Sequence, residues 1–132
     1  MKIGAVGLGN RIAHVFHELS QINQEAKLVA YVDPLPIGKD YSEKHNFFPK
    51  KTYATLDEML ANEKLDLLLI GSPNHLHLEH IKIGLNAGVK IFAEKPIVVD
   101  ENQSFELAKL LGEFGQDQVL VGLVLRYSQH AR

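Results

Sequence analysis

The sequence contains no cysteine, so it can form no disulfide and offers no thiolate to a metal. It also lacks any apolar run near the roughly 20 residues of a membrane span. Residues 2–6 are already strand-like, so no secretory signal is expected ahead of them. Neither sign of charge dominates. The formal net charge of −2 gives no basic surface for nucleic acid or an anionic membrane. Internal repeats, low-complexity tracts and linkers are absent as well. A reducing, cytoplasmic setting suits such a chain, and 132 residues are enough for one domain with a real core.

What is present is an alternation of short apolar runs and helical patterns. Strands are expected at 2–6, 27–32, 52–54, 65–70, 89–93 and 119–125. Helices are expected at 11–22, 36–46, 55–62, 75–87 and from Asp100 to Gly115. In the first helix Ile12, Val15, Phe16, Leu19 and Ile22 share one face, and His14 and His17 fall off it into a solvated or loosely packed position. Thr55-Leu56-Asp57-Glu58 has capping-box spacing, and Asp100 with Gln103 caps the last helix. Residues 65–70 are almost wholly apolar, as in a central parallel strand covered on both faces. Right-handed crossovers make this an α/β fold, a doubly wound Rossmann parallel sheet of strand order 3-2-1-4-5-6 with helices on both faces. Its ligand crevice belongs at the carboxyl ends of strands one and four.

Gly7-Leu8-Gly9-Asn10-Arg11-Ile12 follows the first strand and opens the first helix. Gly7 permits a tight turn. Gly9 lets the backbone approach a pyrophosphate, which the helix's free N–H groups and positive end stabilise. Ile12 stands where the third glycine of the fingerprint belongs, so either the helix sits farther from the strand or Ala13 makes the close contact. The glycine pair alone fits a purely steric role equally well. Asp33 strengthens the dinucleotide reading, because it ends the second strand where an acid accepts bonds from the adenosine ribose hydroxyls. No arginine follows to hold a 2′-phosphate, which the carboxylate would repel; NAD is favoured over NADP, with Lys39 as the cation that could weaken the argument. The competing role for Asp33 is a turn aspartate before Pro34.

Ser72, Pro73 and Asn74 lie just past the fourth strand, across the crevice from the glycine turn. Asn74 can cap the next helix or bond the cofactor. His75, His77 and His80 invite a metal, but no cysteine or nearby acid completes a set, and His75 and His77 point to different sides of a helix; no metal is expected. A helix N-terminus disfavours imidazolium, so His77 would act as a neutral group. Lys95 is the sharpest candidate. Pro96 restricts its backbone and aims its side chain. Beside an oxidised nicotinamide its pKa would fall, and it could bond a substrate hydroxyl and help move its proton. The bland alternative is a solvated lysine at a strand end.

At Gly7-Leu8-Gly9-Asn10, Asp33, Ser72-Pro73-Asn74-His75-Leu76-His77, His80, Ala87-Gly88, Glu94-Lys95-Pro96 and Gly122 to Tyr127 the chain resembles a known family. It is similar, over essentially its whole length, to the N-terminal NAD(P)-binding domain of the glucose–fructose oxidoreductase / inositol dehydrogenase / rhizopine-catabolism (Gfo/Idh/MocA) oxidoreductases. The resemblance implies that Lys95 is the catalytic lysine. It implies that Glu94, Asn74 and His77 line the nicotinamide end of the cofactor, with Arg126 near it. It implies a sugar, inositol or other polyol as substrate, oxidised at a secondary hydroxyl, and a homo-oligomeric full-length protein. Members continue into a second α/β domain, so residues 1–123 are expected to be the Rossmann domain and 124–132 the start of a C-terminal substrate domain. Alone, the chain is then expected to bind cofactor with little turnover. A non-catalytic dinucleotide sensor, and a fold-only relative in which Lys95 is structural, are the rival classes.

Overall fold

The computed structural model describes residues 1–94 and 100–121. In chain order its elements are β1 (Lys2–Val6), α1 (Asn10–Ile22), β2 (Lys27–Val32), α2 (Lys39–Lys44), β3 (Lys51–Thr52), α3 (Leu56–Asn62), β4 (Leu67–Ile70), α4 (His77–Asn86), β5 (Lys90–Ala93), α5 (Glu101–Phe114) and β6 (Val119–Val121). The strands form one sheet in the order β3-β2-β1-β4-β5-β6. Every pairing is parallel, as the alternation of strands and helices requires.

Two apolar layers flank the sheet. Ile3, Ala5, Leu28, Leu69 and Phe92 meet Ile12, Ala13 and Phe16 of α1 on one face. On the other, Ala30, Val32, Leu68 and Ile70 meet Met59 of α3, Ile81 and Leu85 of α4 and Leu110 of α5. β4 is buried on both sides, which is why its sequence shows no alternation. Each large apolar side chain removed from water contributes about 1.5–3 kcal/mol.

Register decides where the loops meet. Val6 lies level with Val32 on one side and Ile70 on the other, and Ile70 lies level with Ala93. The ladder runs one residue further: Gly7 N–H donates to the Val32 carbonyl (2.8 Å), Gly71 N–H to Val6 (2.8 Å) and Glu94 N–H to Ile70 (3.0 Å). Gly7, Asp33, Gly71 and Glu94 therefore leave the sheet side by side at its carboxyl edge.

The structure departs from the sequence expectations in several places. Ile22, placed on the apolar face of α1, is 85% exposed; it is the last residue of that helix. The helix expected at 75–87 divides into a 3-10 turn, Asn74–Leu76, followed by α4, because Pro73 is extended and its carbonyl takes the Leu76 N–H at 2.9 Å. Neither piece has a side-chain cap, so Asn74 does not cap the helix. The third strand is displaced to Lys51–Thr52. His14 is exposed and His17 half-buried, as their place off the apolar stripe predicts, and both join a surface ring cluster: His14 stacks on Tyr41 (3.9 Å between centroids) and His17 lies 4.3 Å from His45. Both expected N-caps form, with the Thr55 hydroxyl accepting from Glu58 N–H and the Asp100 carboxylate from Gln103 N–H. Among the described residues, no helix is long and apolar enough to cross a membrane.

Candidate functional site

The glycine turn opens onto a crevice of about 690 Å3 at the carboxyl edge of the sheet. Gly7 has φ +80°, and a Cβ there would collide with Ser72 N and the Gly71 backbone. This glycine is required by the turn itself. Gly9 differs. A Cβ built on it would meet nothing within 4 Å, so its missing side chain leaves open space rather than relieving a clash. Gly9 is also the N-cap of α1, with no side-chain cap and no acid in the first turn. The N–H groups of Asn10, Arg11 and Ile12 therefore form the positive end of a helix that no side-chain cap or first-turn acid neutralises.

The question raised by Ile12 has a specific answer. Its side chain is 1% exposed and lies where a side chain on Gly71 would otherwise sit; a Cβ on Gly71 would strike Ile12 Cγ1. The glycine missing from α1 is thus supplied from the other strand of the pair. Ala13 makes a close contact too, against Gly38, whose own Cβ would lie 2.5 Å from the Gly9 carbonyl. Gly38 N–H donates to the Leu8 carbonyl at 2.9 Å, so the β2–α2 connection braces the glycine turn from behind.

Asp33 sits at the crevice wall. One carboxylate oxygen accepts the Leu8 N–H at 2.7 Å and the other the Leu35 N–H at 2.9 Å. It is both a turn aspartate and a clamp on the glycine turn. Each carboxylate oxygen keeps a further lone-pair direction for ribose hydroxyls. On the opposite wall Ser72 is 6% exposed, and its hydroxyl lies 2.7 Å from His80 Nδ1. Burial holds His80 below the usual imidazole range, with Glu79 and Asp57 pulling upward and His77 downward. His77 is 1% exposed, and its Nε2 donates to the Ser72 carbonyl at 2.6 Å, since a carbonyl can only accept. It holds the Ser72-Pro73-Asn74 loop in place and does not open onto the crevice.

Of the residues singled out from sequence, Gly7, Gly9, Asp33, Ser72 and Pro73 line one crevice. Arg11 reaches from the first turn of α1 to Glu94 at the end of β5 (Nε to Oε2 4.0 Å), joining the two halves of the site at its edge. Asn10 and Asn74 are exposed beside it. Lys95, Pro96 and Arg126, with residues 122–125 of the expected last strand, lie outside the described residues. Sequence reasoning missed the far wall, formed by Leu35, Ile37, Thr55, Asp57 and Glu79. Thr55 and Asp57 were visible only as the start of a helix, and nothing in their spacing to Asp33 shows that they face it.

A family model described as an oxidoreductase family with an NAD-binding Rossmann fold matches residues 1–123. The chain belongs to the Gfo/Idh/MocA oxidoreductase family. The scyllo-inositol dehydrogenase of Lactobacillus casei, solved with bound NAD(H) and scyllo-inositol, is 29% identical with a TM-score of 0.77, covering 96% of this chain and 37% of that one. The inositol 2-dehydrogenase of Corynebacterium glutamicum (strain R) is 22% identical over 96% of this chain and 37% of its own length. A 1-carboxy-3-chloro-3,4-dihydroxycyclohexa-1,5-diene dehydrogenase of Comamonas testosteroni is 29% identical over 75% of this chain and 24% of its own length. The chain thus spans between a quarter and two fifths of the length of these relatives.

Proposed function

We propose that this chain is the cofactor-binding part of an NAD-dependent dehydrogenase acting on a secondary hydroxyl of a sugar, an inositol or a related polyol. The carrying observation is the empty space over Gly9 at the uncapped end of α1, facing Asp33 across one crevice in a member of an NAD-binding family. The residues fit the cofactor. Asp33 has lone pairs for the adenosine ribose, and the first turn of α1 offers N–H groups to the pyrophosphate. Ser72 and Pro73 line the same crevice as Asp33, and we assign Asn74 and Glu94 to the nicotinamide end on the family resemblance, with Arg11 beside Glu94. When bound, NAD accepts a hydride from the carbinol carbon.

Lys95 is the group we assign to the substrate oxygen, with Arg126 near the nicotinamide; this rests on the motif and on where Glu94 leaves the sheet. The polyol class rests on the inositol dehydrogenases to which the chain is similar. We further assign residues 124–132 to the start of a substrate domain in a homo-oligomeric, cytoplasmic whole protein. The test is calorimetric titration of NAD(H) and NADP(H) into the chain, beside dehydrogenase assays of the whole protein on a panel of inositols and sugars. NAD binding in the micromolar-to-millimolar range with polyol-dependent NADH formation is expected. No dinucleotide binding would overturn the reading, and binding without turnover of any polyol would leave a non-catalytic binding module.

A further inference from the structure

We propose that His80 is a specificity-determining residue of the crevice: in its protonated form it supplies the cation that a 2′-phosphate needs, so the preference for NAD over NADP depends on pH. This rests on the reading of the crevice as the dinucleotide site. Among the described residues lining the crevice, Asp33, Asp57 and Glu79 carry carboxylates, and none is a lysine or arginine. At neutral pH a 2′-phosphate would enter a space bearing three negative charges and no positive one. His80 is the one lining residue there that can become cationic near physiological pH.

Its placement makes that charge effective. The ring is half-buried in the wall formed by α4, so its charge is screened less than that of a surface histidine. Nδ1 is held by the Ser72 hydroxyl at 2.7 Å, which fixes the ring and leaves Nε2 as its other polar atom. The charged and titratable groups around it are Asp57 from α3 and Glu79 and His77 from α4, with Asp33 on the opposite wall of the crevice. Burial is the largest influence and lowers the pKa, so the ring stays neutral down into the ordinary imidazole range, although the carboxylates of Glu79 and Asp57 favour the imidazolium. The 2′-phosphate adds a further anion, so NADP binding takes up more proton at His80 than NAD binding does.

The experiment measures dissociation constants for NAD and NADP by calorimetry from about pH 8 down to about pH 5, a series that spans the ordinary imidazole range and extends to the acid side toward which burial shifts His80, for the wild type and His80→Gln. The glutamine can still accept from the Ser72 hydroxyl. The 2′-phosphate itself titrates near pH 6, but equally in both proteins, so their difference isolates His80. Acidification should lower the NADP-to-NAD ratio of dissociation constants by about fivefold more in the wild type than in the variant, the scale of one partly screened charge contact. Should the variant fold poorly, the His80 ring resonances of the wild type give a second readout. Their titration midpoint should rise further with NADP than with NAD. Equal pH dependence in both proteins, or a midpoint that NADP raises no further than NAD, overturns the proposal with the NAD site intact. Absence of NAD binding at the higher pH removes the proposal together with the reading beneath it.

Discussion

Asp33 Oδ2 accepts the backbone N–H of Leu8 at 2.7 Å, so the carboxylate we assign to the ribose also fastens the glycine turn to the end of β2. Its other oxygen takes the Leu35 N–H at 2.9 Å. Asp33→Ala should therefore do more than narrow the gap between NAD and NADP. Two backbone donors lose their partner, at a cost of about 1–3 kcal/mol, and NAD affinity should fall by about tenfold or more as a charge-assisted acceptor disappears. Asp33→Asn, which keeps one acceptor oxygen, should recover part of the stability and less of the affinity. Thermal melts and calorimetric titration of the variants check both. Unchanged melting in Asp33→Ala would mean that the clamp on Leu8 contributes nothing.

The two glycines of the turn should separate fold from function. Gly9 faces open space, so Gly9→Val should fold and melt like the wild type yet fail to bind dinucleotide, because its side chain would occupy the pyrophosphate position. Gly7 has φ +80° and backbone atoms where its Cβ would go. Gly7→Ala should lose about 1–3 kcal/mol from backbone strain alone, with the steric conflict added. Urea unfolding and a cofactor titration on each variant distinguish the cases. Normal NAD binding by Gly9→Val would show that the turn is only structural.

The alternation of apolar runs made the sheet order readable, because a buried parallel strand such as β4 has no other sequence to adopt. Gly7, Gly9, Asp33, Ser72 and Pro73 were readable as a site because each sits at a strand end, and register brings strand ends together. The Ile12–Gly71 exchange was not, since it couples two positions far apart in sequence through a single shared volume. His80 was visible as a histidine, but its partner Ser72 and the facing acids come from three separate segments. Asn74 looked like a cap; the extended Pro73 and the 3-10 turn moved the start of α4 beyond its reach.

Acid should find a weak point away from the crevice. The Tyr53 hydroxyl donates to Glu63 Oε2, and Lys51 Nζ lies 3.4 Å from the same oxygen. The hydrogen bond from Tyr53 is the main cause that lowers the Glu63 pKa, with Lys51 adding to it against burial. A carboxylate whose folded pKa is depressed stabilises the fold above its unfolded pKa, and that contribution is lost as pH falls through the folded value. Tyr53→Phe should thus melt a few degrees lower than the wild type at neutral pH, and the two melting curves should converge below the ordinary glutamate range. A constant difference across the pH series would show that the loss comes from packing of the ring and not from the ionised pair.

Lys95 is the residue to which we assign the proton transfer. Glu94 N–H bonds the Ile70 carbonyl at 3.0 Å, so the chain enters position 95 at the carboxyl edge of the sheet, beside the loop that carries Ser72, Pro73 and Asn74. In the whole protein Lys95→Ala should leave NAD affinity within a few-fold and lower turnover by about 10²-fold or more, the usual scale for a positioned acid–base group. Lys95→Arg should not restore it, because a guanidinium stays protonated and presents a wider fork. A solvated lysine with no role predicts no kinetic effect of either change. Steady-state kinetics on a polyol panel, run beside a cofactor titration, separates the two. Normal turnover by both variants would move the proton transfer to another residue while leaving the dinucleotide site as described.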